Sequence, residues 1–364
     1  VDSKTAFVTG FTGQDGTFLT RLLLDKGYRV VALVRRISTE PPRRTRGRFD
    51  FTDEIAQRRL VLEEGDLLSP SSLNRIIGSW QPDEVYNLAA QSHVGLSFGQ
   101  PEFTIKTILD GTMNLITALE TAHTGEWRMY QASTSEMYGH RDQGEVFDEN
   151  SRFNPNSPYA IAKFAAHQYC VMKRKQGRFI SCGILFNHES EIRGGDFVTQ
   201  KIVRGAVQWA IDYQEPLDVP TVLRLGNMDS KRDWGYAGDY VQGMWLMLQH
   251  HTPDDFVLAT GETHTIREFA TAAFGRLGYV VISNQLEGEA EVLSAITWEG
   301  KPIKPEIPAV VVDPQFFRPN DVGYLIGDAS KAKSILGWEP EHKFDLIVQV
   351  MTDNAKEERS GYER

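Results

Sequence analysis

Three glycines near the start of the chain, Gly10-Phe-Thr-Gly13-Gln-Asp-Gly16, decide much of what it can become. A β-rich stretch, Lys4 to Thr9, leads into them. From Thr17 the apolar residues Phe18, Leu19, Leu22 and Leu23 fall at helical spacing, and Gly27 suits the helix C-terminus. Strand, glycine turn and helix in that order form a cradle for a dinucleotide. Side chains must be absent where the turn is tight and where backbone meets a pyrophosphate. The helix N-terminus then supplies free N–H groups and a partial positive charge.

The same alternation continues. Arg29–Val34, Leu60–Glu63, Glu84–Ala89, Arg128–Ala132 and Phe179–Phe186 read as strands, with helices around 70–80, 102–122 and 159–175. The pattern predicts an α/β fold, a Rossmann-type doubly wound parallel sheet covered on both faces. Beyond residue 186 the organisation loosens. Residues 187–220 read as a polar loop and one helix. Leu223–Leu225 and Phe256–Ala259 are expected to return to the sheet. Residues 283–320, rich in Pro and Glu and poor in periodicity, read as a smaller, irregular region over the sheet edge. With 364 residues, the expected division is a dinucleotide-binding domain, 1–186, to which the chain returns near 222–262. Residues 187–221 and 263–364 would form a substrate-binding region.

Charge and composition exclude several roles. The net charge of −10 argues against a nucleic-acid binder. No apolar run is long enough for a membrane span, and the first ten residues read as strand rather than signal peptide. Cys170 and Cys182 are too few for a disulfide framework and lack zinc spacing, so no metal is expected and a cytoplasmic setting is the economical reading. The arginine-rich loop Arg35–Arg48 stands out in an acidic chain. An anion from a ligand or partner explains it better than a solvated loop, because like charges repel.

The end of the second strand selects the cofactor. An acidic residue there would bind a ribose 2′-hydroxyl; Val34-Arg35-Arg36 instead suits a 2′-phosphate, which favours NADP. Two arginines pointing to solvent are the alternative. Asp66 and Leu67 follow the third strand, where an adenine ring would lie. Leu88-Ala-Ala-Gln-Ser92 follows the fourth and offers small residues beside the middle of the cofactor. Tyr159-Ala-Ile-Ala-Lys163 sets a phenol and an ammonium on one helical face, and the lysine charge is expected to favour phenolate. Ser133-Thr-Ser-Glu-Met-Tyr-Gly139 follows the fifth strand, at the carboxyl edge where open α/β sheets bind ligands. A hydroxyl there can hold a substrate oxygen, and a carboxylate can move a carbon-bound proton.

Together these elements resemble the extended short-chain dehydrogenase/reductase family, and within it the GDP-mannose 4,6-dehydratases. The resemblance rests on Thr9-Gly-Phe-Thr-Gly-Gln-Asp-Gly16, Asn87-Leu-Ala-Ala90, Tyr130-Gln-Ala-Ser-Thr-Ser-Glu-Met-Tyr-Gly139, Gly183-Ile-Leu-Phe-Asn-His-Glu-Ser190, Leu225-Gly-Asn-Met-Asp229, Lys231-Arg-Asp-Trp-Gly235 and Phe317-Arg-Pro319. It runs from about residue 4 to about residue 345. It implies dehydration of GDP-mannose to GDP-4-keto-6-deoxymannose, a hydride passing from C4 to C6 through NADP. Tyr159 would take the O4 proton with Lys163 beside it, Thr134 would hold O4, Glu136 would remove the C5 proton, and Ser135 would assist the leaving hydroxyl. Cofactor contacts would come from Gly10, Thr12, Gly13, Gln14, Asp15, Gly16, Arg35, Arg36, Asp66, Leu67, Leu88, Ala89, Ala90, Ser92, His188 and Arg193. The substrate would meet Ser92, Asn187, Lys201, Arg232, Arg318 and Asp321.

Competing readings of single residues are a core histidine for His188, a surface ion pair with Asp233 for Arg232 and a solvated lysine for Lys201. The chain departs from the family at Glu191-Ile-Arg-Gly194, where Pro-Arg-Arg-Gly is usual, and at Gln200, where arginine is usual. Asp321 replaces a glutamate, and Ile37-Ser-Thr-Glu-Pro-Pro42 replaces a Ser- and Asn-rich loop that reaches a neighbouring subunit's cofactor. These changes leave the dehydration machinery whole. The alternatives are a dehydratase of another GDP-sugar such as a GDP-heptose, a sugar-nucleotide epimerase, and, more remotely, a silent NADP-sensing protein. By resemblance the helices around 102–122 and 159–175 would form the dimer face of a homodimer or homotetramer.

Overall fold

The structure is a computed structural model, and it describes residues 3–35, 49–139, 144–214, 220–286, 291–317 and 324–362. Seven strands form its main sheet: β1 (Thr5–Thr9), β2 (Arg29–Val34), β3 (Leu60–Glu64), β4 (Glu84–Asn87), β5 (Arg128–Thr134), β6 (Ile180–Leu185) and β7 (Asp255–Leu258). Their order is β7-β6-β5-β4-β1-β2-β3, and every pairing is parallel. Such a sheet needs helices on both faces, which is why its strands read as nearly continuous apolar runs. Alternation still divides them. Ala6, Val8, Val30 and Ala32 pack on one face with Leu19 and Leu23 of the helix Gln14–Asp25. Phe7, Val31 and Leu33 pack on the other with Ile76, Ile77, Leu115 and Leu119. The order reverses direction between β1 and β4, and the crevice at that switch point is the usual ligand site of such sheets.

The expected helix over 102–122 runs as three joined pieces, Pro101–Ile105, a π-turn at Lys106–Asp110, and Gly111–Ala122. Gly111 lies so close to Leu67 that an added Cβ would stand 3.0 Å from the Leu67 Cβ. The helix Pro158–Lys175 is well started: Pro158 fills its first position and the Ser157 hydroxyl accepts from the Ala160 N–H at 3.1 Å.

Two expectations are corrected here. Leu223–Leu225 does not return to the main sheet; it pairs with Val310–Val312 in a separate four-stranded sheet. A strand of three residues carries no pattern that distinguishes one sheet from another. The region expected to be irregular holds two regular antiparallel strands, Val292–Trp298 and Lys301–Val312, flanked by Tyr279–Ser283. Register shifts near Leu293/Ser294 and Ala295/Thr297 break the period of two, and Pro302 and Pro308 disguise the second strand. Its core gathers Trp209, Phe269, Tyr279, Leu293, Val310 and Met351. Among the described residues, no helix is long and apolar enough to cross a membrane.

Candidate active site

The glycine turn hangs between β1 and the helix Gln14–Asp25. Gly10 has φ +74°, a backbone conformation that favours glycine, and a Cβ there would stand 2.9 Å from the Ala89 nitrogen. A Cβ on Gly16 would run into the Gly10 carbonyl oxygen. Gly13 caps the helix with no side-chain hydrogen bond to its first turn, and both Thr12 and Gly13 are exposed. The turn therefore leaves backbone N–H groups and dipole facing outward at the switch point, and these features fit a pyrophosphate.

The neighbouring strand ends are fixed around it. Thr9 Oγ1 accepts from the Leu88 and Ala89 N–H groups at 3.0 and 3.1 Å and donates to Asn87 Oδ1 at 2.9 Å. Leu88, Ala89 and Ala90 are half-buried beside the turn, and Ser92 is exposed at the end of that segment. Gln14 Nε2 donates to the His188 carbonyl at 3.0 Å, and Ser190 Oγ donates to Gln14 Oε1 at 2.7 Å. Asp15 Oδ2 lies 2.9 Å from His188 Nε2. Burial opposes the charge on Asp15, but the His188 charge and the His188 and Gln14 hydrogen bonds outweigh it and hold the carboxyl at about 2. His188 is raised in return, burial again opposing and Asp15 prevailing. His188 stacks on Tyr240 at 4.6 Å between centroids, so it is both a packed histidine and an ion-pair partner.

Further out, Arg35 is exposed at the end of β2, while Arg36 and the arginine-rich loop that follows lie outside the described residues. Asp66 Oδ1 accepts from the Leu68 N–H at 2.8 Å, and the Leu67 side chain belongs to the core.

The chemical groups meet at the carboxyl end of β5. Thr134 is its last residue, buried, and its hydroxyl accepts from the Glu136 N–H at 3.3 Å. Ser135 is buried and Glu136 half-buried on the 3₁₀ turn Ser135–Tyr138. Tyr159 and Lys163 are buried on the facing helix, and Tyr159 is hydrogen-bonded to the Thr134 side chain. Asp15 and Arg193 both act electrostatically on Tyr159, so the nucleotide and chemical ends share one field.

Lys163 stands near the phenol ring but spends its hydrogen bond on the strand end. Lys163 Nζ donates to the Ala132 carbonyl at 2.8 Å and lies 5.9 Å from the centre of the Tyr159 ring. Burial pushes the Tyr159 phenol well above its ordinary range, opposed by the Thr134 hydrogen bond and reinforced by Glu136. Burial also brings Lys163 down to about 8. The lysine holds the strand end rather than the phenol.

The candidate substrate residues fall along the strand Asn187–Glu189 and the elements near it. Asn187 Oδ1 is buried with no hydrogen-bond partner among the described residues, an acceptor open to a donor. Arg193 sits over the Phe197 ring at 3.6 Å, with Nε 3.1 Å from Glu189 Oε2. Lys201 is half-buried: its ammonium lies 3.3 Å from the centre of the Phe316 ring, and burial lowers its pKa. Arg232 is buried and its Nη1 donates to the Lys231 carbonyl at 2.9 Å. Asp233 spends its carboxylate on the Thr260 hydroxyl and the Thr260, Gly261 and Gly327 N–H groups, so the two do not form the simple surface pair. Arg318 and Asp321 lie outside the described residues. Thr9, Glu189, Ser190 and Phe316 carry no role in the sequence reading; the first three lie within motifs that support the family resemblance, which is the signal for them.

A family model described as GDP-mannose 4,6 dehydratase matches residues 7–351. GDP-mannose 4,6 dehydratase 1 of Arabidopsis thaliana is 42% identical over 97% of this chain and 90% of its own. The GDP-mannose 4,6-dehydratase of Sinorhizobium fredii (strain HH103) is 43% identical over 97% of both chains. Among solved structures, RMD from Pseudomonas aeruginosa complexed with NADPH aligns with TM-score 0.69 at 22% identity over 98% of this chain and 100% of its own. The dTDP-glucose 4,6-dehydratase of Bacillus anthracis in complex with NAD aligns with TM-score 0.74 at 18% identity over 98% of both. At those identities the structures share the fold.

Proposed function

The chain belongs to the GDP-mannose 4,6-dehydratase family, and we propose how its own residues carry the dehydration of GDP-mannose to GDP-4-keto-6-deoxymannose. It is a sugar-nucleotide 4,6-dehydratase, a hydro-lyase that works with NADP. Bound NADP supplies the acceptor, and later the donor, of the hydride that moves from C4 to C6.

Gly10, Thr12, Gly13, Gln14, Asp15 and Gly16 would seat the cofactor's pyrophosphate, Arg35 and Arg36 its 2′-phosphate, Asp66 and Leu67 its adenine. Leu88, Ala89, Ala90 and Ser92 would border its middle, with Lys163, His188 and Arg193 towards the nicotinamide. In the reaction Thr134 holds the sugar O4 and Tyr159 takes its proton. Glu136 then removes the C5 proton, which the new C4 ketone has made acidic, and Ser135 supports departure of the C6 hydroxyl. Asn187, Lys201, Arg232, Arg318 and Asp321 would bind the nucleotide diphosphate, with fixed cations against its charge.

The observation that carries this reading is a carboxylate, Glu136, placed two residues beyond Thr134 and within electrostatic reach of Tyr159. Proton removal at C5 needs such a group; a 4-epimerization does not. Residues 1–186 would serve the cofactor, and 187–221 with 263–364 the sugar nucleotide. The apolar faces of Phe103, Met113, Ile161 and Met172, all exposed, support a homodimer or homotetramer. Two free, buried cysteines and a sugar-nucleotide substrate suit a cytoplasmic setting.

Incubation with GDP-mannose and NADP in deuterated water tests the reading. The expected product is a 4-keto-6-deoxy sugar carrying deuterium at C5, with no net NADPH. A product that keeps its C6 oxygen would point to an epimerase, and steady NADPH accumulation to an ordinary dehydrogenase. Turnover only of another GDP-sugar would move the substrate assignment.

A further inference from the structure

Tyr159 and Lys163 are followed one helical turn later by His167 on the same face of the helix Pro158–Lys175. These side chains grip the carboxyl end of β5: Tyr159 meets Thr134, Lys163 donates to the Ala132 carbonyl, and His167 Nδ1 lies 2.9 Å from Ser133 Oγ. His167 and Ser133 are both buried. The reading of the function gives work to the first two contacts and none to the third.

The far side of the ring is anchored. His167 Nε2 faces Asp255 Oδ2 at 3.7 Å, and the Arg174 guanidinium holds Asp255 Oδ1 at 2.5 Å. Phe153 packs edge-on against the ring with centroids 5.5 Å apart. A carboxylate beyond Nε2 favours the ring proton there, which leaves Nδ1 to accept from the Ser133 hydroxyl. Ligating atoms of His167, Cys182 and Asp255 also lie within 4.8 Å of one another. The guanidinium already on Asp255 opposes a second cation, so the group acts as an electrostatic tether, with the Cys182 thiol hydrogen-bonded to the ring, rather than a metal site.

We propose that His167 is a positioning residue for the dehydration: anchored by Asp255, it holds Ser133 and thereby sets Thr134 and Glu136 in register with Tyr159. This rests on the assignment of those three as the reacting groups. Ser133 precedes Thr134 directly, and the Thr134 hydroxyl in turn receives the Glu136 N–H. A shift of the strand end would move the O4 ligand and the C5 base together. Misplacement on the scale of 1 Å costs reacting groups about a hundredfold in rate, while binding through remote contacts survives.

The test compares His167→Phe, His167→Asn, Ser133→Ala and the double variant His167→Phe/Ser133→Ala in the full-length protein with NADP. The expected result for His167→Phe and Ser133→Ala is a kcat about ten- to a hundredfold lower at unchanged KM for GDP-mannose. The double variant should be no worse than either single one, and His167→Asn, whose amide oxygen can accept from Ser133, should recover most of the rate. Hydrogen exchange on the ligand-free protein is the second readout, and it should quicken in His167→Phe chiefly across residues 132–138. Native kcat in His167→Phe, multiplying losses in the double variant, or quickened exchange throughout the chain with a raised KM would each overturn the proposal. If the wild-type protein leaves GDP-mannose unchanged, the functional reading fails, and the exchange pattern alone then decides whether His167 holds this segment.

Discussion

At Tyr159 opposing influences meet on one oxygen. Burial and the Glu136 carboxylate favour the neutral phenol; the Thr134 hydrogen bond and the Arg193 charge favour the phenolate. This balance gives Glu136→Gln a clear meaning. The substitution removes a charge that raises the phenol, so the proton-accepting phenolate of Tyr159 becomes more accessible, not less. Loss of turnover then cannot be blamed on the tyrosine. Removal of a positioned general base costs about 10²–10⁴ in rate. Glu136→Gln is therefore expected to lose dehydration by that factor while NADP titrates as before. Dehydration at near the wild-type rate would strip Glu136 of its role.

Between elements, the decisive link is the clasp of the helix Gln14–Asp25 on the strand Asn187–Glu189, made by Gln14, Asp15, His188 and Ser190. Its pH dependence follows from two opposite shifts. Asp15 is lowered from 3.8 to about 2, so its contribution is present above 3.8 and lost as pH falls towards 2. His188 is raised above 6.5, so its contribution is complete below 6.5 and lost as pH rises through the raised value. The ion pair is fully engaged between those limits. For a pair partly shielded from water, about 1–2 kcal/mol is reasonable, between the exposed and buried cases. Asp15→Asn should accordingly lower the melting temperature by a few degrees at pH 5.5, and by less at pH 9. An equal deficit at both pH values would show that the charges contribute nothing to the clasp. How much of this was legible varied with the physics of each segment. Arg29–Val34 was read to the residue because a strand buried on both faces is an unbroken apolar run. Val292–Trp298 is hidden because register shifts interrupt its alternation, and Leu223–Leu225 does not declare its sheet because three residues hold no pairing information. In the site, Thr134, Glu136, Tyr159 and Lys163 were visible through fixed spacing. The tether of Ser133 through His167 to Asp255 was not, since its last member lies on β7, far along the chain.

Over the whole molecule, the sheet buries its apolar residues against helices on both sides, yet two of those helical segments expose large apolar side chains among their polar ones. Phe103 is 46% exposed, Ile161 49% and Met172 41%. The segment Pro101–Asp110 and the helix Pro158–Lys175 pack on each other, so these side chains lie on neighbouring elements. A face of this kind is self-complementary when two copies meet across a two-fold axis, because every contact is then made twice. Tyr159, Lys163 and His167 point inward from the same helix, so pairing at its outer side would stiffen the element that presents the phenol. Phe103→Asp/Ile161→Asp places two charges per copy at that face, and each would have to be desolvated in the assembly. Light scattering at micromolar concentration is expected to report a dimer or tetramer for the wild-type protein and the 41.1 kDa monomer for the double variant. Turnover should fall in the monomer while NADP binding persists. A wild-type protein that scatters as a monomer would leave this apolar region without the partner assigned to it.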